Sequence, residues 1–116
     1  MYRDLTGKGF KKTVVKDDAI ASLRVIESGG LRFTATEFSF EQGIAVGRSS
    51  NNDIVINDTY VSHQHAHIYK ENGQYILEDL ASSNHTYING EILQRPALLK
   101  SGDLIKIGLV TLEFER

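Results

Sequence analysis

The chain has 116 residues, of which 41% are hydrophobic and 24% are charged, and its net charge is −2. These values are typical of one globular domain and exclude a protein that binds nucleic acid or acidic membranes through its overall charge. Cysteine is absent, which excludes disulfides, thiol nucleophiles and cysteine-ligated metals. No stretch approaches the roughly 18 apolar residues of a membrane helix, and the N-terminus lacks the apolar core of a signal peptide, so we expect a cytoplasmic location.

The N-terminus differs in charge from the rest of the chain. Residues 1–18 carry five Lys or Arg against three Asp, whereas the remaining residues carry eight against twelve Asp or Glu. The first block also has few large apolar residues. We therefore predict a flexible basic tail over residues 1–20 and one folded domain over residues 21–116.

From residue 21 onward the pattern predicts short strands. Segments rich in β-branched and aromatic residues, with apolar and polar residues alternating over much of their length, are 22–27, 32–40, 44–48, 53–56, 65–70, 74–79, 86–88, 91–93, 103–107 and 110–115. No segment of helical length keeps a period of 3.6 residues. The chain is therefore predicted to be all-β, either a sandwich or a small barrel.

Turn residues separate these strands. Asn72-Gly73 and Asn89-Gly90 supply the two positive-φ residues of a type I′ hairpin turn. Glycines also mark residues 28–30 and 101–103 as turns. Pro96 is the one proline of the chain, and we place it in a loop, where its missing N–H group is not needed.

Three segments carry polar residues that the folding of a sandwich does not require. They are residues 47–50, 61–66 and 79–86, and each adjoins the end of a predicted strand. Loops at one end of an antiparallel sandwich lie together, so these segments would combine an arginine, small hydroxyls and a carboxamide. Such a set suits a phosphate dianion on a peptide, because arginine binds two phosphate oxygens, serine a third, and asparagine main-chain groups.

These segments resemble the forkhead-associated (FHA) domain family over roughly residues 21–116. The family pattern consists, in order, of Gly-Arg, Asp-Ile, Ser-Arg-x-His-Ala, Asp-x-x-Ser-x-Asn-Gly-Thr, Asn-Gly and Leu-x-x-Gly-Asp. The corresponding blocks of this chain are Gly47-Arg48, Asp53-Ile54, residues 62–66, residues 79–86, Asn89-Gly90 and residues 99–103. Six blocks in order at the family's spacing form a specific signal.

The resemblance implies a Greek-key-like sandwich of about eleven strands, with a ligand site in its apical loops. It implies a module that binds phosphothreonine peptides in signalling, with neither catalysis nor a cofactor. By the same resemblance, Arg48 and Ser62 would contact the phosphate, Ser83 would add a hydroxyl or backbone donor, and Asn84 would hold the peptide backbone. The residues implied as loop scaffold are Gly47, His65, Asn89 and Gly90. The implied partners are a phosphothreonine-containing protein and its Ser/Thr kinase, bound by a monomer without nucleic acid or membrane.

Two positions depart from the family pattern. His63 stands beside the predicted phosphate site, where the family usually has Arg, and His85 stands where the family has Gly. If position 85 requires a positive φ, a histidine there carries strain. A phosphate-independent protein-interaction domain therefore stays open as an alternative.

A histidine metal site is a weaker alternative. His63, His65 and His67 alternate, so on one strand they would share a face, and His85 could join them. The nearest acid, Asp79, matches a core position of the family, which leaves these histidines without a carboxylate to accept the second N–H of a metal-bound imidazole. A hydrolase built from Ser62, His65 and Asp79 lacks a nucleophile elbow and a glycine-rich oxyanion loop. We therefore predict neither a metal nor an enzyme.

The basic tail contains Thr6 and Thr13, and Thr13 follows two lysines. Some small bacterial FHA proteins carry a kinase-targeted threonine in such a tail. A tail phosphorylated at Thr13 could bind the apical loops of its own domain, whereas an unphosphorylated tail or an interdomain linker is the simpler interpretation.

Phosphopeptide binding should depend on pH through His63. A histidine gains its positive charge between pH 8 and pH 5, and a bound phosphate dianion favours the charged form. We therefore expect tighter binding at pH 6 than at pH 8 in a fluorescence anisotropy titration. His63→Ala should flatten this profile, and an unchanged profile in that variant would exclude His63 as its cause.

Overall fold

A computed structural model describes residues 20–116. The predicted tail, with Thr6 and Thr13, therefore lies outside the described residues apart from Ile20. The described residues form eleven strands: β1 Ala21–Glu27, β2 Glu37–Phe40, β3 Gly43–Gly47, β4 Ile54–Val55, β5 Ala66–Glu71, β6 Gln74–Asp79, β7 Thr86–Ile88, β8 Glu91–Ile92, β9 Ala97–Leu98, β10 Leu104–Ile107 and β11 Val110–Glu115. Among residues 20–116 no helix is long and apolar enough to cross a membrane.

The strands form two sheets that pack face to face. The six-stranded sheet has the order β2-β1-β11-β10-β7-β8, and the five-stranded sheet has the order β9-β6-β5-β3-β4. All strand pairs are antiparallel except β3 with β4, which are parallel and pair Val46 with Ile54. The prediction of an all-β sandwich of about eleven strands is confirmed.

The core follows from the alternation seen in the sequence. In β11, Val110, Leu112 and Phe114 are fully buried, whereas Thr111 and Glu113 face outward. Inward side chains of the other sheet complete the core, among them Ile44, Val46, Ile68, Tyr75 and Leu77. Alternate residues of a strand point to opposite faces, so each sheet buries one face and exposes the other.

Two hairpin turns have the predicted geometry. Asn72 and Gly73 have φ values of 54° and 77°, and Asn89 and Gly90 have values of 51° and 87°. Each pair connects the last residue of one strand to the first residue of the next, and these two residues lie directly opposite each other: Glu71 with Gln74, and Ile88 with Glu91. Both hairpins therefore use a two-residue turn with two positive φ angles, as type I′ turns require.

One predicted strand was too long, and one strand was missed. The predicted strand 32–40 pairs only over Glu37–Phe40, because Leu31 and Phe33 instead pack their side chains against the core without a partner strand. The two-residue strand Ala97–Leu98 was missed, since the segment is too short to show alternation. It pairs with β6 at the edge of the sheet directly after Pro96, a position that tolerates a missing N–H group.

One end of the sandwich gathers the loops that carry the polar segments. Strand β3 ends there at Gly47, β5 begins there at Ala66 opposite Val46, and β6 ends there at Asp79 opposite Ala66. The same end holds the turn between Ile107 and Val110. We call residues 47–53, 58–65 and 80–85 the apical loops. Strand β1 begins at the opposite end, where Ala21 pairs with Phe40.

Asp79 holds the connection from β6 to β7 in place. Its Oδ1 accepts hydrogen bonds from the hydroxyls of Ser82 (2.5 Å) and Thr86 (2.7 Å), and its Oδ2 accepts one from the Ser82 N–H (3.0 Å). Burial alone would raise the pKa of Asp79, but these hydrogen bonds to the charged form outweigh it, so the pKa lies below its usual value of 3.8.

We expect Asp79→Asn to destabilise the fold by about 1–3 kcal/mol near pH 6, because the amide supplies donors where three donors already converge. The lowered pKa of Asp79 adds stability that is complete above pH 3.8 and is lost as the pH falls through the native-state value. The difference in the free energy of unfolding between variant and wild type, measured with urea, should therefore decrease below pH 3.8. The exposed Glu71, which makes no side-chain hydrogen bond within residues 20–116, provides the control Glu71→Gln. A gap that stays constant down to pH 2.5 would contradict this assignment.

Candidate functional site

His65 connects two of the apical loops through both nitrogens of its ring. Its side chain is fully buried, and its Nδ1 accepts a hydrogen bond from the Ser62 N–H at 3.0 Å. Nδ1 is therefore unprotonated, so Nε2 carries the hydrogen and donates it to the His85 carbonyl at 2.9 Å. Main-chain bonds from His65 to Val46 and from Leu80 to His65 join the same loops to the sheet.

Gly47 and Asn52 bring the first loop against the second. The Nδ2 of Asn52 donates to the carbonyls of Ser49 and His63, at 2.9 and 2.8 Å. A Cβ atom on Gly47 would lie 2.3 Å from the His63 carbonyl oxygen and 2.7 Å from Asn52 Nδ2. Only glycine therefore permits this close approach of the two loops.

Arg48 is positioned by the residues around Ser62. Its main-chain N–H donates to the Ser62 carbonyl at 2.9 Å, and its side-chain Nε donates to the Val61 carbonyl at 2.9 Å. Within residues 20–116 no hydrogen bond uses its two terminal nitrogens. The guanidinium is thus held by one of its donors and keeps four N–H groups for a ligand.

Hydrogen bonds between the apical loops also position Ser62, Ser83 and Asn84. The Ser62 hydroxyl accepts a hydrogen bond from the Ser83 N–H at 3.0 Å, which leaves the hydroxyl hydrogen available for an acceptor. Asn84 Nδ2 donates to the Tyr60 carbonyl at 2.9 Å. One N–H and the carbonyl oxygen of this amide make no hydrogen bond within the described chain, so they can pair with a peptide backbone.

His85 has a positive φ angle, so it carries the strain expected for a histidine at such a position. Its φ is +68°, and Ala81 in the same loop has a φ of +56°. Such values cost a residue with a Cβ about 1–3 kcal/mol each and persist only where the surroundings impose them. The bond from His65 to the His85 carbonyl and the contacts of Asp79 impose this backbone. His63 is exposed beside the site, and its carbonyl also accepts the Ser49 N–H at 3.2 Å.

The predicted site residues lie at two separate places. Arg48, Ser62, Ser83, Asn84 and His63 meet in the apical loops, together with Gly47 and His65. Asn89 and Gly90 form the β7–β8 turn, where Asn89 bonds to Asp103 (3.0 Å) and to the Leu104 N–H (2.9 Å), and they do not brace the apical loops. Sequence reasoning missed Asn52, whose role depends on carbonyl groups of another loop.

The three alternating histidines do not share a face. His65 is buried with both ring nitrogens bonded, whereas His67 is half exposed on the outer side of β5, where its Nε2 lies 2.8 Å from Glu78 Oε1. In the part of the chain that the structure describes, no three His, Asp or Glu side chains are grouped as metal ligands. This arrangement does not favour the histidine metal site.

Comparison with known proteins agrees with the geometry. The family model described as FHA domain matches residues 44–108. The chain is 36% identical over 80 residues to the glycogen accumulation regulator GarA of Mycobacterium tuberculosis, covering 68% of this chain and 49% of that protein. It is 34% identical over 97 residues to an oxoglutarate dehydrogenase inhibitor of Corynebacterium jeikeium, covering 81% of this chain and 64% of that protein.

A solved structure of M. tuberculosis EmbR in complex with a low-affinity phosphopeptide aligns with a TM-score of 0.73 and 30% identity, covering 84% of this chain and 24% of that one. The chain spans about half the length of relatives such as GarA. The fold, the six sequence blocks and the family match together show that this chain belongs to the FHA domain family.

Proposed function

We propose that the apical loops bind a phosphothreonine peptide and thereby recruit a phosphorylated partner protein. Phosphopeptide recognition is the function of the FHA family, to which the chain belongs. The observation that carries the residue assignment is that Arg48, Ser62, Ser83 and Asn84 meet in one loop cluster with unused donors. Such a cluster can surround a phosphate and its peptide backbone.

Each residue has a separate task in this proposal. The terminal nitrogens of Arg48 bind two phosphate oxygens, and the Ser62 hydroxyl donates to a third. The Ser83 hydroxyl supplies a further donor, because its main-chain N–H is already bonded to Ser62. Asn84 pairs with the peptide backbone through the amide groups that Tyr60 leaves unused. Two or three charge-assisted bonds of about 1.5–3 kcal/mol each, less the cost of ordering a peptide, favour roughly micromolar affinity.

The alternatives receive less support. A phosphate-independent interaction would not use the free hydrogen-bond donors of Arg48 and Ser62. Four hydrogen bonds, each involving a main-chain N–H or carbonyl, hold these two residues in place. The FHA family is a family of binding modules, and from this membership we infer that the chain catalyses no reaction. The partners that we infer are a phosphothreonine protein and its Ser/Thr kinase, bound by a monomer. The cytoplasmic location stays a prediction.

The tail is a candidate ligand, and geometry limits which threonine can serve. Ala21 lies eight positions after Thr13, and the chain between them spans at most about 27 Å when extended. Ala21 lies at the end opposite the apical loops, and β1 alone covers about 20 Å of that distance. To reach the loop before β7, the tail must also cross the sheet from β1 by three strand spacings, about 14 Å. Thr13 therefore reaches the loops of its own domain only when nearly extended, whereas Thr6 has seven more residues.

Phosphothreonine binding is tested by fluorescence anisotropy with a degenerate phosphothreonine peptide pool. We expect Arg48→Ala to weaken binding about 10- to 100-fold, because it removes hydrogen bonds between charged groups. The exposed Arg95, whose side chain makes no hydrogen bond or ion pair within residues 20–116, gives the matched control Arg95→Ala, and the affinity of this variant should equal that of the wild type. Equal binding of the unphosphorylated pool would reject phosphate recognition.

The tail proposal is tested by competition for a labelled phosphothreonine peptide. We expect the full chain phosphorylated at Thr13 to bind the labelled peptide more weakly than the unphosphorylated chain. Binding within one molecule gives a loss that is independent of protein concentration, whereas binding to a second copy gives a loss that grows with concentration. Equal affinity before and after phosphorylation would reject the tail as a ligand.

A further inference from the structure

Residues 58–61 form a tight turn in the apical loop 58–65, and we call this segment the Asp58 turn. The Val61 N–H donates to the Asp58 carbonyl at 2.9 Å, and the Tyr60 N–H donates to the Asp58 carboxylate oxygen Oδ1 at 2.9 Å. Aspartate is favoured at the first position of such a turn because its side chain can accept the N–H two residues later. Asp58 therefore fixes the direction of the main chain at Tyr60 and Val61.

The Asp58 turn holds side chains that come from the other two apical loops. The Tyr60 carbonyl accepts a hydrogen bond from Asn84 Nδ2 at 2.9 Å, and the Val61 carbonyl accepts one from Arg48 Nε at 2.9 Å. Within residues 20–116 each of these is the one hydrogen bond that the side chain makes. The directions of both side chains therefore depend on two neighbouring peptide groups of the same turn.

The other side of the Asp58 turn packs against the core and against the turn between β10 and β11. The Val61 side chain is 1% exposed. A Cβ atom on Gly108 would lie 2.7 Å from Val61 Cγ2 and 3.0 Å from Asp58 Oδ2. Gly108, whose φ is +61°, therefore permits this close contact, and the contact leaves the Asp58 turn little room to shift.

We propose that Asp58 is a positioning residue for phosphothreonine binding. Through the carbonyls of Tyr60 and Val61 it aligns the Arg48 guanidinium with the phosphate and the Asn84 amide with the peptide backbone. The inference rests on the proposed function, in which Arg48 and Asn84 bind the ligand. Side chains that are aligned before binding lose less conformational entropy when the ligand arrives, which raises the affinity.

Ser62 follows the Asp58 turn but is fixed by other contacts. Its N–H donates to His65 Nδ1 at 3.0 Å, and its carbonyl accepts the Arg48 main-chain N–H at 2.9 Å. Loss of the Asp58 carboxylate should therefore disturb the side chains of Arg48 and Asn84 and leave the Ser62 hydroxyl in place.

Fluorescence anisotropy with the degenerate phosphothreonine peptide pool tests this role in two variants of equal charge. Asp58→Asn keeps an oxygen that can accept the Tyr60 N–H, whereas Asp58→Ala does not. Oδ2 makes no hydrogen bond within residues 20–116, so the amide of Asp58→Asn replaces no bonded oxygen. We expect Asp58→Ala to bind the pool about three- to tenfold more weakly than Asp58→Asn, because one hydrogen bond that orients two ligand-binding side chains is lost.

The matched control removes a turn aspartate at the opposite end of the sandwich. Asp103 accepts hydrogen bonds from Asn89 Nδ2 at 3.0 Å and from the Lys100 N–H at 2.8 Å. Asp103→Ala should lower the melting temperature and keep the wild-type affinity for the pool. An affinity that falls as far as in Asp58→Ala would show that any loss of stability weakens binding, and it would overturn the positioning role.

Double mutants separate positioning from a general weakening of the site. Arg48→Ala and Asn84→Ala should each reduce the affinity less in the Asp58→Ala background than in the Asp58→Asn background, because Asp58→Ala has already misaligned the side chain that is removed. Ser62→Ala should reduce the affinity equally in both backgrounds. Equal losses for Arg48→Ala and Asn84→Ala in the two backgrounds would contradict the proposal.

Hydrogen exchange in the free protein provides a test without a ligand. In ¹⁵N NMR the Arg48 Nε–H should exchange with water faster in Asp58→Ala than in Asp58→Asn, whereas the Nε2–H of the buried His65 should exchange equally in both. Equal exchange of the Arg48 Nε–H in the two variants would overturn the inference. A wild type without phosphate-dependent binding would reject the proposed function, and the exchange of the Arg48 Nε–H would then decide by itself whether Asp58 positions this side chain.

Discussion

The site depends on one buried imidazole. His65 accepts a hydrogen bond from the main chain beside Ser62 and donates one to the carbonyl of His85, so a single neutral tautomer connects the loops on either side of the ligand site. The imidazole is fully buried, and leaving a buried polar group without its hydrogen bond costs about 1–3 kcal/mol. His65 therefore fixes the position of Ser62 relative to the loop of Asn84 from the buried side of the two loops. The exposed side chains of Ser62 and Asn84 stay available for a ligand.

The loop that contains Asn84 combines strain with strong anchoring. Ala81 and His85 both have positive φ angles, and the bonds to Asp79 at the base of the loop keep that backbone from relaxing. A flexible loop would lose conformational entropy when it ordered around a phosphopeptide. In this chain that entropy is lost during folding, because the core and the Asp79 carboxylate already order the loop.

Charge is distributed locally in this protein. The chain as a whole is slightly acidic, yet Arg48 and His63 lie at the apical loops and Lys106 lies on the adjoining sheet face. An anionic ligand is thus attracted by a small region and not by the protein's overall field, which suits recognition of one phosphorylated segment over nucleic acid or acidic surfaces.

The sequence by itself determined the sandwich, both Asn-Gly hairpins and the residues that we propose as the phosphate site, because alternation, turn chemistry and the six motif blocks are local properties of the chain. It overestimated the strand before Glu37 and missed the short strand after Pro96, since pairing at a sheet edge depends on distant residues. The tertiary structure alone decided that His65 is buried while His67 lies on the outer side of β5, and that Lys106 and Asn84 line one groove. These facts depend on how the two sheets are paired and packed, which no local pattern specifies.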